Sequence, residues 1–207
     1  MTEHYYTEYP SSKSEPKTWE AVLRGHRLKF TTDTGVFSKE AIDFGSKLLI
    51  ESFVFPDMRG PILDIGCGYG PIGIALAKSD PNRTVVMADI NARAVELAKE
   101  NAKSNRLTNV SVLKSDLLDD VPHCGYAAIV TNPPIRAGKK VVYDLFRQAA
   151  DFLPDGGEFW LVIQKKQGAA SAKEKLASLF DGVDVVHREK GYVVLRCQKN
   201  FQKSFDS

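Results

Sequence analysis

The chain has 207 residues, of which 43% are hydrophobic and 26% charged, with 28 basic and 26 acidic side chains and a formal net charge of +2. That balance predicts one soluble globular domain. It excludes a disordered chain and a strongly basic protein that coats nucleic acid, and no apolar run approaches the ~18 residues a membrane helix needs, the longest being Phe159 to Ile163. Cys67, Cys124 and Cys197 show no C-x-x-C spacing, so neither a disulfide framework nor a zinc site is expected, and a reducing cytoplasm is the default setting.

In chain order, residues 1–16 are polar and proline-containing and read as a loose arm with Tyr5, Tyr6 and Tyr9. The opening MTEHYYTEYP has neither a basic start nor an apolar stretch, so no secretion signal is expected. Two short apolar stretches between Trp19 and Phe30 flank Arg24-Gly25-His26, the pattern of a hairpin. Thr31 to Phe37 is a connection, and Ser38 is expected to cap a helix whose apolar positions include Ile42, Leu48, Leu49 and Phe53.

Beyond Pro56 to Gly60 the chain alternates. Strands are expected at Pro61–Ile65, Thr84–Asp89, Val110–Leu113, Tyr126–Val130 and Glu158–Ile163. Helices are expected at Pro71–Ala77, after an Asn91 cap, at Lys139–Phe152 and at Ala169–Phe180. Val183–His187 and Tyr192–Cys197 close the chain as a hairpin around Lys190-Gly191. Alternation of this kind predicts an α/β fold, a doubly wound, mainly parallel sheet of seven strands with an antiparallel terminal hairpin and a small N-terminal extension. We read 1–207 as one domain, with the arm and hairpin over 1–37 and the main fold over 38–200. Ligands of such sheets bind beyond the carboxyl ends of the strands, so residues just after each strand are the candidates for chemistry.

The first of these is Asp64-Ile-Gly66-Cys67-Gly68-Tyr69-Gly70-Pro-Ile-Gly73. Alternate glycines let backbone pass close to a ligand, and helix amides follow. Gly68, Gly70 and Gly73 also spell G-x-G-x-x-G, which on its own would suggest a nicotinamide dinucleotide. Asp64 argues otherwise, because a carboxylate would repel a pyrophosphate but suits a cationic ligand. The stretch resembles the first motif of class I methyltransferases that use S-adenosylmethionine (SAM). The resemblance implies that Asp64, Gly66, Gly68 and Gly70 cradle the methionine end, with Cys67 a small neighbour and not a nucleophile. After the second strand, Asp89 beside Ile90 can accept both ribose hydroxyls, while Asn91 caps the next helix. After the third, the resemblance implies that Asp116 accepts the adenine amino group and Leu117 packs on the ring.

The fourth strand runs into Thr131-Asn132-Pro133-Pro134-Ile135. Prolines fix the backbone and lack amide hydrogens, so the Asn132 side-chain oxygen and the proline carbonyls can point into the cleft as acceptors. Two acceptors that hold the hydrogens of a planar exocyclic amine would orient its nitrogen and favour the charge that builds there as a methyl arrives. An ordinary strand-ending turn also uses Asn-Pro. The tetrapeptide resembles the Asn-Pro-Pro-aromatic motif of amino-group methyltransferases, with Ile135 where an aromatic residue usually stands; Phe37 or Tyr69 are candidates for the missing aromatic surface. With Gly35-Val36-Phe37-Ser38 and Arg136-Ala-Gly-Lys139-Lys140, the chain is similar to the ribosomal RNA small subunit methyltransferase C family, from about residue 17 to about 197.

That resemblance implies transfer to guanine N2 of ribosomal RNA, alone or in a ribosomal subunit, with Asn132, Pro133, Pro134 and Ile135 catalytic. By their places after the fourth and fifth strands, Arg136, Lys139 and Lys140 would share a basic rim with Lys165 and Lys166 that binds RNA phosphates, an ordinary solvated helix start being the alternative, and Phe37 is a further candidate for binding substrate. No metal and no membrane are expected, and the chain is either a monomer or a homodimer. A protein glutamine methyltransferase, a nicotinamide-dependent oxidoreductase and a non-catalytic RNA chaperone that binds SAM stay open as alternatives.

Overall fold

In the computed structural model the described residues are 15–34 and 41–199. The expectations for the tyrosines of the arm, for Phe37 and for a boundary at 37/38 fall outside them. Strands β1 (Lys17–Leu23) and β2 (His26–Thr32) pair antiparallel. Arg24 and Gly25 between them have φ of 48° and 78°, the left-handed values that a two-residue turn needs to match strand twist. The Arg24 guanidinium donates to Ile50 O and Phe53 O, both at 2.8 Å, and so caps the end of helix α1 (Phe44–Ser52).

The expected start of α1 is corrected. Its N-cap is Asp43, whose Oδ1 accepts from Ser46 N at 3.0 Å; Ser38 does not hold that place, and Ile42 precedes the helix. The reason is local: an extended Asp43 puts its carboxylate over the free amides of the first turn.

The remaining elements follow the expected alternation: β3 (Ile62–Ile65), α2 (Pro71–Ser79), β4 (Val85–Asp89), α3 (Ala92–Ser104), β5 (Val110–Lys114), β6 (Ala128–Thr131), α4 (Lys139–Phe152), β7 (Glu158–Gln164), α5 (Ala169–Ala177), β8 (Gly182–Glu189) and β9 (Tyr192–Gln198). The seven-stranded sheet has the order β5-β4-β3-β6-β7-β9-β8. The pairs from β5 through β7 are parallel. β9 is antiparallel to both neighbours, β7 and β8, so the edge strand β8 itself runs with β7. The chain crosses over β7 through α5 and then fills the gap by a tight turn at Lys190 and Gly191, with φ of 46° and 80°.

Alternate strand residues feed two cores. Ile62, Met87, Val130 and Trp160 face α1, α2, α3 and the N-terminal hairpin. Leu63, Ile129, Phe159 and Leu161 face α4 and α5. In α4 the expected Val142, Leu145, Phe146 and Ala149 are all buried. The strand order reverses between β3 and β6, and that switch point opens a crevice at their carboxyl ends.

The hairpin is docked by α3. Asn101 Oδ1 accepts from Thr31 N at 2.7 Å, and its Nδ2 donates to Thr31 O at 2.9 Å and Tyr69 O at 2.8 Å. One turn on, Asn105 makes the same exchange with Lys29 N and O at 3.0 and 2.7 Å. Two side-chain amides thus satisfy a strand edge that would otherwise lie buried with open backbone groups.

Candidate active site

The crevice encloses about 890 Å³, solvent at its mouth included. Its walls are the turn after β3, the turn after β4, the turn after β5, the Asn-Pro-Pro turn after β6 and the first turn of α1.

In the first wall Gly66 N and Cys67 N both donate to Ala88 O, at 2.9 and 3.1 Å, which pins the turn to β4. Gly66 and Gly68 have φ of 68° and 57°, and a Cβ built on either would meet no atom within 4 Å. Their bare Cα atoms border open space, the arrangement of a turn shaped for a ligand. Gly73 differs. Its Cβ would lie 2.5 Å from Met87, so this glycine lets α2 approach β4. Cys67 lines the crevice, with its thiol held well above the ordinary range by burial and then by the charges of Asp89 and Asp64. It is unsuited to nucleophilic attack.

Asp64 lies one layer behind the wall, fully buried, and does not itself line the crevice. Its Oδ2 accepts from Gly73 N at 2.8 Å, while Oδ1 has no hydrogen-bond partner among the described residues. Burial pushes its pKa up to about 7; the Gly73 amide lowers it and the Asp89 charge raises it. An orphaned buried acceptor beside the glycine turn suits a ligand with a cationic end.

Asp89 does line the crevice. Its Oδ2 accepts from Gly68 N and its Oδ1 from Asn91 N, both at 2.8 Å. The carboxylate therefore braces the glycine turn and keeps a further lone pair on each oxygen for a pair of hydroxyls. Burial raises its pKa against the amides of Asn91, Gly68 and Ile90. Asn91 caps α3 as expected, through Arg93 N and Ala94 N at 3.0 and 3.2 Å. In the third wall Ser115 and Leu117 line the crevice, whereas Asp116 is exposed at its rim. Ser115 Oγ holds this turn by donating to Leu117 O at 2.9 Å and accepting from Asp120 N at 3.0 Å.

In the fourth wall Thr131 Oγ1 donates to Ile65 O at 2.8 Å and ties β6 to β3. Asn132 Nδ2 donates to Asp43 Oδ1 at 3.2 Å and to Ser46 Oγ at 3.0 Å. With both amide hydrogens spent on α1, the carbonyl oxygen is what Asn132 offers to the crevice. The free proline carbonyls expected from the sequence are corrected. Pro133 O accepts from Ile135 N at 2.8 Å and Pro134 O from Ala137 N at 2.9 Å. Pro134, at φ −75° and ψ 71°, forms an inverse γ-turn that leads into a 3-10 turn over Ile135–Ala137, and these bonds occupy the carbonyls. Pro134 lines the crevice and Pro133 does not; half-buried Ile135 packs on the second core.

Arg136, Lys139 and Lys140 are exposed just beyond the turn, with Lys139 Nζ 5.1 Å from the centre of the Tyr143 ring. Tyr69 does not supply an aromatic platform, because its ring is buried edge-on against Trp19 and Phe30 at 6.0 and 5.7 Å. Asp43 and Ser46 were missed by the sequence reading. The signal available was Asp43 three residues before a serine that opens an apolar run, a helix-cap pattern that says nothing of the distant partner Asn132.

The residues present fit SAM: two bare glycines at the crevice, a hydroxyl-pair acceptor in Asp89 and an unpartnered buried carboxylate oxygen in Asp64. Comparison with known proteins agrees. The family model for the methyltransferase small domain matches residues 27–196. The uncharacterized Bacillus subtilis protein YbxB is 55% identical over 200 residues, 96% of this chain and 100% of that one. A Vibrio cholerae ribosomal RNA small subunit methyltransferase C is 35% identical over 150 residues, which cover 70% of this chain but 43% of the enzyme. The structure of the T. thermophilus 16S rRNA N2 G1207 methyltransferase, in complex with AdoMet and guanosine, superimposes with a TM-score of 0.80 at 27% identity, over 92% of this chain and 52% of that one. The chain therefore spans about half the length of these two enzymes.

Proposed function

The chain belongs to the methyltransferase small domain family and is a SAM-dependent methyltransferase; on that premise we propose that it methylates an exocyclic amine, guanine N2 of ribosomal RNA, in the cytoplasm. The observation that carries the reading is the fixed amide of Asn132, which presents only an acceptor to the crevice. An acceptor suits a group with hydrogens to give, such as an amine. The names of the Vibrio and Thermus relatives supply the nucleic acid and the base. The dinucleotide reading of G-x-G-x-x-G leaves unexplained the buried, unpartnered Asp64 carboxylate oxygen behind the glycine turn, which a pyrophosphate would not favour.

In this reading Asp89 holds the ribose hydroxyls, and the Ser115–Leu117 turn borders the adenine with Asp116 at its edge. Asp64 supports the cationic end through the glycine turn. When bound, SAM supplies an electrophilic methyl carbon, and the electron pair of its carbon–sulfur bond leaves with the sulfur. Asn132 Oδ1 accepts a hydrogen of the target amine and turns the nitrogen lone pair toward that carbon. Pro133 stiffens the turn that carries Asn132 and does not itself reach the crevice. As the nitrogen–carbon bond forms, the Asn132 acceptor stabilises the growing positive charge until a proton passes to solvent. Pro134 closes the wall beside Asn132, and Arg136, Lys139 and Lys140 hold phosphates around the exposed nucleotide.

The test presents the enzyme with labelled SAM and either small ribosomal subunits from a strain lacking the gene or translation release factors. Label in the RNA supports the proposal. Label on a glutamine of the protein would replace it with the glutamine reading.

A further inference from the structure

We infer that Asp43 and Ser46, at the start of α1, are positioning residues that lock the Asn132 amide in its acceptor-outward orientation; the inference rests on the proposed role of Asn132. A side-chain amide fits its pocket almost equally well either way round, and only hydrogen bonding selects one. Turned the other way, Asn132 would point an NH2 at the target amine and offer it no acceptor. Here the choice is imposed by the acceptor-only Asp43 Oδ1 at 3.2 Å, while Ser46 Oγ, at 3.0 Å, takes the second hydrogen and holds the amide in place. A reversed amide would set its carbonyl against a carboxylate, an acceptor facing an acceptor.

The clamp is itself held in place. Asp43 Oδ1 also accepts from Ser46 N at 3.0 Å, so the atom that orients Asn132 is anchored by the helix it caps. Ser46 is 4% exposed, and both residues border the crevice beside Asn132 and Pro134. A bond to a charged partner also polarises the amide and makes its oxygen a stronger acceptor. A helix that precedes the first strand of the main sheet thereby completes the reacting end of the site, and does so 89 residues from the amide it holds.

Two variants separate positioning from simple helix capping. Asp43→Ser keeps a good N-cap but is too short to reach Asn132. Ser46→Ala removes the hydroxyl and leaves the backbone amide that Asp43 caps. We expect each to lower kcat about tenfold, and the pair about a hundredfold, with SAM affinity by calorimetry and the melting temperature close to wild type. Asp43→Asn, which keeps an oxygen in place of Oδ1, should recover most of the rate. The side-chain amide protons of Asn132, followed by NMR, should exchange slowly in the wild type and fast in both variants. Wild-type kcat in Asp43→Ser and Ser46→Ala would overturn the inference. So would fast exchange in the wild type, a result that holds even if the RNA substrate proves wrong. Methyl transfer absent from every amine acceptor, with Asn132 protons still protected, would instead count against the proposed function.

Discussion

Replacing Gly68 by alanine separates a glycine kept for a ligand from one kept for packing. At φ 57° an alanine sits in the left-handed region, at a cost of roughly 1–2 kcal/mol. No atom lies within 4 Å of the new Cβ, so crowding adds nothing in the free protein. For a chain of this size the melting temperature should fall by about 2–8 °C. The same methyl group would stand in the crevice, where overpacking against the cofactor costs about 1–3 kcal/mol. SAM binding by calorimetry should therefore weaken about tenfold or more. Gly73→Ala should show the opposite balance. Its Cβ would lie 2.5 Å from fully buried Met87, so the main loss is stability, about 1–3 kcal/mol less the ~1 kcal/mol that alanine returns to a helix. SAM affinity unchanged in Gly68→Ala, or lost more steeply in Gly73→Ala than in Gly68→Ala, would refute the assignment of the glycine turn.

Asp64 has a folded pKa of about 7, above its ordinary 3.8, so its contribution to stability is full below that lower value and is lost as pH rises through 7. Asp64→Asn should then gain on the wild type between pH 5 and 8 in urea unfolding of the free protein; parallel pH profiles would reject the burial account. Asn101→Ala would leave Thr31 N, Thr31 O and Tyr69 O without their partner and should cost about 2–4 kcal/mol, with faster amide hydrogen exchange in β2. Unchanged exchange at Thr31 would show that the hairpin is held by its apolar face alone.

What the sequence revealed was local. The turn at Arg24-Gly25 and the glycine turn after β3 were legible because each demands φ values that few residues adopt. The Asn91 cap was legible because cap and helix are neighbours, and α4 because its apolar stripe is regular. What escaped depends on partners far along the chain. Asp43 was passed over for Ser38 because nothing near it announces Asn132, and the docking of β2 on Asn101 and Asn105 joins residues 70 and 76 positions apart. The proline carbonyls were misread for a different reason. A rigid elbow suggests outward acceptors, but the γ-turn at Pro134 takes up the Pro133 carbonyl and the 3-10 turn after it takes up that of Pro134. Tyr69 could not stack on a base because the N-terminal hairpin buries its ring.

The central claim is that an exocyclic amine receives the methyl group. It is tested most directly by locating the labelled nucleotide and then comparing two RNA substrates that differ only there, one carrying guanine and the other hypoxanthine, which lacks the 2-amino group. With labelled SAM, the account predicts N2-methylguanosine from the first and no product from the second. Equal labelling of both RNAs would contradict it.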